Sequence, residues 1–195
     1  ALIHFSTNFV FEGSATQPYT EEDMPAPISV YGVAKLSGEH LVRSILPRHL
    51  IVRTTGLYGV AGSGETGKGL NFIELMIKLG RERDGVTVVD DQIMTPTSTA
   101  DLAKVISHLI DEETTGTFHI TNSGACSYFE FAGTIYKKVG LDAQVSPTTS
   151  AEYGAPAQRP LYSVLDNSRL HALGIAPLRL WDEALEAYLH TRGYL

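Results

Sequence analysis

A tyrosine and a lysine stand four residues apart in Tyr31-Gly32-Val33-Ala34-Lys35. On a helix, positions i and i+4 share a face with Cβ atoms roughly 5–6 Å apart, so a phenol and an ammonium would meet there. A free phenol titrates near about 10 and is a reluctant proton donor at neutral pH. A neighbouring cation favours the phenolate, and bringing the value to about 7 takes roughly 4 kcal/mol of differential stabilisation. Lys35, with a further positive group beside it, could supply much of that. The outcome is a general acid suited to protonating a carbonyl oxygen as hydride arrives. The spacing alone is a weak sign, since Tyr and Lys on a helix usually serve packing and solvation. Two neighbours strengthen it. Ser6 and Thr7 close an apolar run, and open α/β sheets place their ligands at the carboxyl ends of strands. Pro27-Ile28-Ser29-Val30 ends a loop just before the tyrosine, so Tyr31 falls near a helix start that faces the same crevice.

The elements that must position these groups follow from pattern. Residues 1–7 read as a strand and 8–27 as loop, punctuated by Gly13, Pro18, Pro25 and Pro27. Residues 29–44 carry helical spacing, with Val33, Leu36, His40 and Leu41 on one face. A second β-branched run covers 49–60, a glycine-rich loop 59–69, a helix 71–83 and a short strand 85–90. A helix capped by Thr99 covers 99–112, a strand 117–121, a helix 128–139 ended by Gly140, and a last helix 182–190, with Trp181, Leu180 and Leu185 in its core. The alternation predicts an α/β fold: the C-terminal portion of a Rossmann-like parallel sheet, with a smaller α/β substrate-binding domain. The expected division assigns 1–60 and 97–121 to the former, and 61–96 and 122–195 to the latter.

Composition narrows the function classes. The 195 residues are 43% hydrophobic and 19% charged, as in ordinary globular proteins. Twenty-two acidic against 15 basic residues give a net charge of -7 with no basic cluster, so no nucleic-acid partner is expected. The single cysteine, Cys126, rules out an intramolecular disulfide and makes a cytoplasmic setting the default. Seven histidines fall in no ligand spacing, so no metal is expected. The opening stretch is short and interrupted by His4, Ser6, Thr7 and Asn8, and the first basic residue is Lys35, so neither a membrane span nor a signal peptide is expected there.

The motifs together resemble a known family. Ser6-Thr7-Asn8-Phe9-Val10-Phe11-Glu12-Gly13 is followed by Pro27, then Tyr31-Gly32 and Lys35, then Gly38-Glu39. Arg53-Thr54-Thr55-Gly56-Leu57-Tyr58-Gly59, Asn71-Phe72, Asp91-Gln92, Pro96-Thr97, Ala100-Asp101-Leu102-Ala103, Gly116 with Phe118-His119, Arg159-Pro160 and Leu165-Asp166 continue in order. The set resembles the extended short-chain dehydrogenase/reductase superfamily, and within it the dTDP-4-dehydrorhamnose reductase family. That likeness covers essentially the whole chain and corresponds to the back two-thirds of such an enzyme. It implies that Tyr31 is the catalytic acid, that Lys35 holds the nicotinamide ribose and tunes Tyr31, and that Thr7 hydrogen-bonds the keto oxygen. Ser6 and the backbone at Thr55, Gly56 and Leu57 would line the cofactor, NADPH or NADH. Thr7, Asn8, Gly56, Asn71 and Arg159 would contact a nucleotide-linked 4-keto-6-deoxy sugar. A homodimer is compatible with the resemblance. The phosphate-cradling turn that opens such folds is expected upstream of Ala1, so these residues alone are expected to hold NADPH weakly.

Three positions depart from the family pattern, all near the sugar: Asn8 and Phe9 replace an Asp-Tyr pair, and Gly56 replaces a Trp. An amide in place of a carboxylate loses the charge, and glycine removes an aromatic wall. Epimerisation or dehydration of a sugar nucleotide is the nearest enzymatic alternative, and a non-catalytic relative such as the regulatory subunit of methionine adenosyltransferase is the other. Gly62-Ser63-Gly64-Glu65-Thr66-Gly67 matches a dinucleotide-loop pattern, and Lys68 nearly completes a P-loop. Gly69 stands where a P-loop needs Ser or Thr, so a loop bordering the substrate cleft is expected instead. Ser63 lacks the G-x-S-x-G elbow of a hydrolase. Asn71 reads by chemistry as a helix N-cap, Cys126 as part of a turn and cap, and Arg159 as a fork suited to phosphate oxygens.

Overall fold

The computed structural model describes residues 2–61 and 69–195, so the Gly62 to Lys68 stretch and its loop patterns lie outside the described residues. In chain order the elements are β1 (Leu2–Thr7), α1 (Val30–Ile45), β2 (His49–Thr54), β3 (Leu57–Tyr58), α2 (Phe72–Glu82), β4 (Gly85–Val89), β5 (Ile93–Met94), β6 (Thr97–Ser98), α3 (Thr99–Asp111), β7 (Gly116–His119), β8 (Cys126–Ser127), α4 (Tyr128–Val139), β9 (Gln144–Thr148), α5 (Ser150–Tyr153), α6 (Ser168–Ala172) and α7 (Trp181–Thr191). The fold is α/β, as the alternation predicts.

A parallel sheet in the order β1-β2-β7 carries the site, in a register that sets Ser6 beside Arg53 and Thr7 beside Thr54. Side chains alternate across each strand. Leu50 and Val52 of β2 and Phe118 of β7 join Leu102, Ile106 and Leu109 of α3 and Leu170 of α6 in one core. The opposite face meets α1 through polar contacts. A second core gathers Ile73, Met76 and Ile77 of α2, Phe131, Ala132, Ile135 and Tyr136 of α4, and Leu185, Tyr188 and Leu189 of α7. Two-stranded pairs frame it: β3 with β6 and β4 with β9, both parallel, and β5 with β8, antiparallel.

Local signals explain the helix ends. Ser29 caps α1 by accepting from the Gly32 N–H, and Asn71 caps α2 by accepting from the Glu74 N–H. Ser127 and Glu130 form a reciprocal capping box on α4, whose end at Gly140 has φ 73°. Three expectations are corrected. The N-cap of α3 is Ser98, and Thr99 is instead its first residue, packed so closely on Gly59 that a side chain there would collide with its hydroxyl. Leu180 is exposed and Trp181 only partly buried, its ring edge-on to Phe131 at 5.7 Å. Of the apolar face expected of α1 only Leu36 packs inward, against Val10, Phe11, Tyr19 and Leu165; Val33, His40 and Leu41 are exposed, and the fully buried residues are Gly32 and Glu39. Periodicity follows apolar residues, whereas this helix seats itself with a glycine and a paired charge.

Candidate active site

The charge that seats α1 is Glu39, fully buried. Burial works against its ionisation, but Arg53 outweighs that with bonds of 2.9 and 2.8 Å, and Ser6 and Arg43 add to it, holding the carboxyl below the usual range. Arg53 is itself 2% exposed and reaches His119 Nε2 at 3.4 Å. Burial first, and then the Arg53 charge, push the His119 imidazole down to about 3, so it is neutral, with Nδ1 facing the Tyr19 carbonyl at 3.0 Å. These groups tie α1 to the ends of β1, β2 and β7 at once.

Gly32 fixes the other end of the helix. A Cβ there would collide with the Phe9 carbonyl oxygen, so only glycine lets the first turn of α1 rest on the chain leaving β1. Tyr31 therefore stands directly over that chain, its ring edge-on to Phe9 at 5.9 Å and 83°. It is 55% exposed, at the mouth of a cleft of about 240 Å³ lined by Ser6, Thr7, Asn8, Phe9, Tyr31, Thr54, Thr55, Gly56, Leu57 and Tyr128. Of the ten predicted site residues, seven line this cleft: Ser6, Thr7, Asn8, Tyr31, Thr55, Gly56 and Leu57. Thr7 accepts from the Phe9 N–H at 3.2 Å and donates to Asn8 Oδ1 at 3.1 Å. Ser6 lines the cleft, but its hydroxyl donates to Glu39 at 2.5 Å. Gly56 has φ 57°, and a Cβ there would lie 2.9 Å from Met94 Sδ and 3.0 Å from the Thr95 carbonyl oxygen, so the turn from β2 to β3 presents its backbone.

Lys35 sits one turn beyond Tyr31 on α1, and its charge is felt at His4 of β1, where burial and then Lys35 lower the imidazole's pKa. It is not among the cleft-lining residues. Asn71 lies away from the cleft as well: its Oδ1 caps α2, and its Nδ2 donates to Tyr188 Oη at 2.9 Å and to the Gly59 carbonyl at 3.4 Å.

Arg159 connects two adjoining pockets. One, of about 630 Å³, runs from Phe9 and Tyr31 along the start of α1 to residues 156–159; the other, of about 260 Å³, is walled by Phe72, Met76, Val88, Gln92, Tyr128 and Tyr153. Tyr31 and Phe9 are shared between the first pocket and the cleft, and Tyr128 between the cleft and the second. Burial pushes the Tyr128 phenol up, and the Arg159 charge opposes it. The Arg159 segment is pinned from below. Pro160 packs on Gly13, φ 90°, where any side chain would collide with it. From the other side, Asp91 accepts from the Ser150 N–H and hydroxyl, and Gln92 donates to the same hydroxyl at 2.8 Å, which anchors α5 just ahead of it. Tyr128 and Thr54 were not assigned to the site by sequence reading, since only the fold brings them to the cleft. Cys126 is buried in the second core, where burial and then Glu130 push its thiol up, so it is no nucleophile.

A family model described as the RmlD substrate binding domain matches residues 1–193. The chain belongs to that family. Among similar members, the spore coat polysaccharide biosynthesis protein SpsK of Bacillus subtilis (strain 168) is 42% identical over 98% of this chain and 64% of its own length. A dTDP-4-dehydrorhamnose reductase of Streptomyces griseus is 43% identical over 94% and 60%. A solved dTDP-4-dehydrorhamnose reductase from Bacillus anthracis, in complex with NADP, superposes with a TM-score of 0.91 at 39% identity, over 97% of this chain and 65% of its own. The chain thus spans somewhat under two thirds of the relatives it matches. More distant NAD-bound dTDP-glucose 4,6-dehydratases, at 16 and 19% identity with TM-scores of 0.78 and 0.76, share the fold. Among the described residues of this RmlD-family chain, no helix is long and apolar enough to cross a membrane.

Proposed function

We propose that the whole protein reduces the keto group of a nucleotide-linked 4-keto-6-deoxy sugar, a dTDP-4-dehydrorhamnose reductase activity. The observation that carries this reading is the meeting of Thr7 and Tyr31 in one cleft at the carboxyl ends of β1 and β2, with Lys35 one turn along the tyrosine's helix. Relatives of about 40% identity bear that name, which supports it.

The cleft fits a nicotinamide and a sugar. Asn8 and Thr54 belong to its lining, and each carries a buried polar atom, Nδ2 and Oγ1, with no partner among the described residues, a setting for a ligand rich in uncharged hydrogen-bonding groups. NADPH or NADH, when bound, supplies hydride to the carbonyl carbon. Lys35 binds the cofactor's ribose and places positive charge near the phenol. Thr7 holds the carbonyl oxygen by its hydroxyl, and Tyr31 Oη gives that oxygen its proton, so a ketone becomes an alcohol. Asn8 touches the sugar beside the reacting carbon. The 260 Å³ pocket beyond Tyr128, with aromatic walls and a guanidinium at its rim, takes the nucleoside diphosphate, with Arg159 on its phosphates. The parts near β1, β2 and β7 serve the cofactor side, and those near α2, α4 and β4 the substrate side. We place the protein in the cytoplasm, where both nucleotides are found.

The test is oxidation of NADPH by the intact protein when a dTDP-linked 4-keto-6-deoxyhexose is added. Tyr31→Phe should lower kcat about 10²- to 10⁴-fold with little change in KM. A Tyr31→Phe variant as fast as wild type would sink the assignment.

A further inference from the structure

We infer that Thr54, at the carboxyl end of β2, is a ligand-binding residue of this cleft. The inference rests on the reductase reading above and adds a contact to it. Thr54 is 4% exposed, yet its hydroxyl has no partner among the described residues. Burying a hydroxyl unpaired is unfavourable, and native folds rarely leave one so. Its place makes the choice of residue informative. Leu50, Val52 and Thr54 point to the same side of the sheet, and the first two belong to the apolar core against α3. A valine would continue that face with the same shape and no unpaired group. Threonine stands instead where the core ends and the cleft begins.

The register completes the argument. Thr54 is the strand partner of Thr7, so two hydroxyls lie side by side on one face at the sheet's end. The Thr7 hydroxyl is engaged by Phe9 N–H and Asn8 Oδ1; the Thr54 hydroxyl is engaged by nothing described. Asn8, 3% exposed and also in the cleft's lining, carries a second buried group without a described partner, Nδ2. A hydroxyl can give one hydrogen bond and accept others. The group it suits is an uncharged one with a carbonyl, amide or hydroxyl, which a nicotinamide carboxamide and a sugar hydroxyl both offer.

Thr54→Val separates a ligand contact from a structural one, because the two move in opposite directions. Removing an unpaired buried hydroxyl should leave the melting temperature unchanged or raise it. At the same time one of two affinities of the intact protein should weaken three- to tenfold, about 0.7–1.4 kcal/mol. NADPH binding is read by fluorescence titration without sugar. Binding of the dTDP-linked 4-keto-6-deoxyhexose is read by calorimetry without reductant. Loss in the first assigns Thr54 to the carboxamide, and loss in the second to a sugar hydroxyl. Thr54→Ser, which keeps the hydroxyl, should retain wild-type affinity. Both affinities staying within twofold of wild type in Thr54→Val would overturn the inference, as would a clear fall in its melting temperature. If wild type turns over the sugar and Thr54→Val matches it in binding, only the inference fails. If wild type binds neither molecule, the reductase reading fails and takes the inference with it.

Discussion

Thr7 has one proton to give, and in this structure it goes to Asn8 Oδ1 rather than into the cleft. An amide oxygen is a modest acceptor, so a substrate carbonyl beside Tyr31 can compete for that proton. A carboxylate would hold it about twice as strongly. Asn8→Asp should therefore lower kcat at neutral pH, roughly tenfold for each 1.36 kcal/mol by which the carboxylate outbids the ketone. The loss should be regained as the pH falls and the new carboxyl takes a proton. Steady-state rates of the variant and wild type across the acid range read this directly; a ratio that does not move with pH would refute it. Sequence reading reached Thr7, Asn8 and Tyr31 through motif spacing, because those residues are neighbours in sequence or one helix start away. It could not reach Thr54. Arg53-Thr54-Thr55 offers two adjacent hydroxyls, and which one lacks a partner is decided by strand register and by what stands opposite.

At the scale of the element, α1 is held at both ends by contacts that apolar patterning does not register. Gly32 should tolerate no side chain: Gly32→Ala must push the first turn off the Phe9 carbonyl and carry Tyr31 with it. Activity should fall on the order of a hundredfold, as for a misplacement of about 1 Å, with a smaller change in melting temperature. Glu39→Ala attacks the other end and leaves Arg53 buried without its anion, which should cost about 3–5 kcal/mol in urea denaturation. A loss under about 1 kcal/mol would mean that the pair does not hold the helix. The elements with strong local signals were legible: α4 runs over the predicted 128–139 because a capping box opens it and Gly140 closes it. The two-residue strands β3, β5, β6 and β8 were not, since two residues carry no period and exist only through partners distant in sequence. β9 was missed for another reason. Its Pro147 argues against a strand by itself, and is accepted here where, among the described residues, β9 pairs only with β4.

Across the whole molecule, buried ionisable groups set how stability should depend on pH. Below about 6.5 the unfolded chain takes up a proton at position 119 that the folded chain refuses until about pH 3. Stability should thus be fullest above that upper value and decline as the pH falls, by up to about 1.4 kcal/mol per pH unit from His119 alone. His4, whose folded value is also lowered, acts in the same direction. Glu39, Glu74 and Asp101 have folded values below their ordinary ones: burial opposes their charge, and Arg53, the Tyr188–Tyr194–Arg192 set and Arg179 respectively outweigh it. Their contribution is present above the ordinary carboxylate range and is lost as the pH falls through the lowered values, so it deepens the decline at the acid end. Urea midpoints should fall between about pH 7.5 and about pH 5, and a His119→Gln variant should show a shallower slope there. Equal slopes would remove His119 from this account.

Because the first turn of α1 rests on main-chain atoms at Phe9, the backbone position of Tyr31, the proposed proton donor, owes little to which side chains occupy positions 8 and 9. Those positions can change their chemistry without moving that backbone. A lineage built on this frame is free to explore new sugars at its rim while Tyr31 keeps its place over the cleft, and the amide at Asn8 and the ring at Phe9 are what such drift would leave behind.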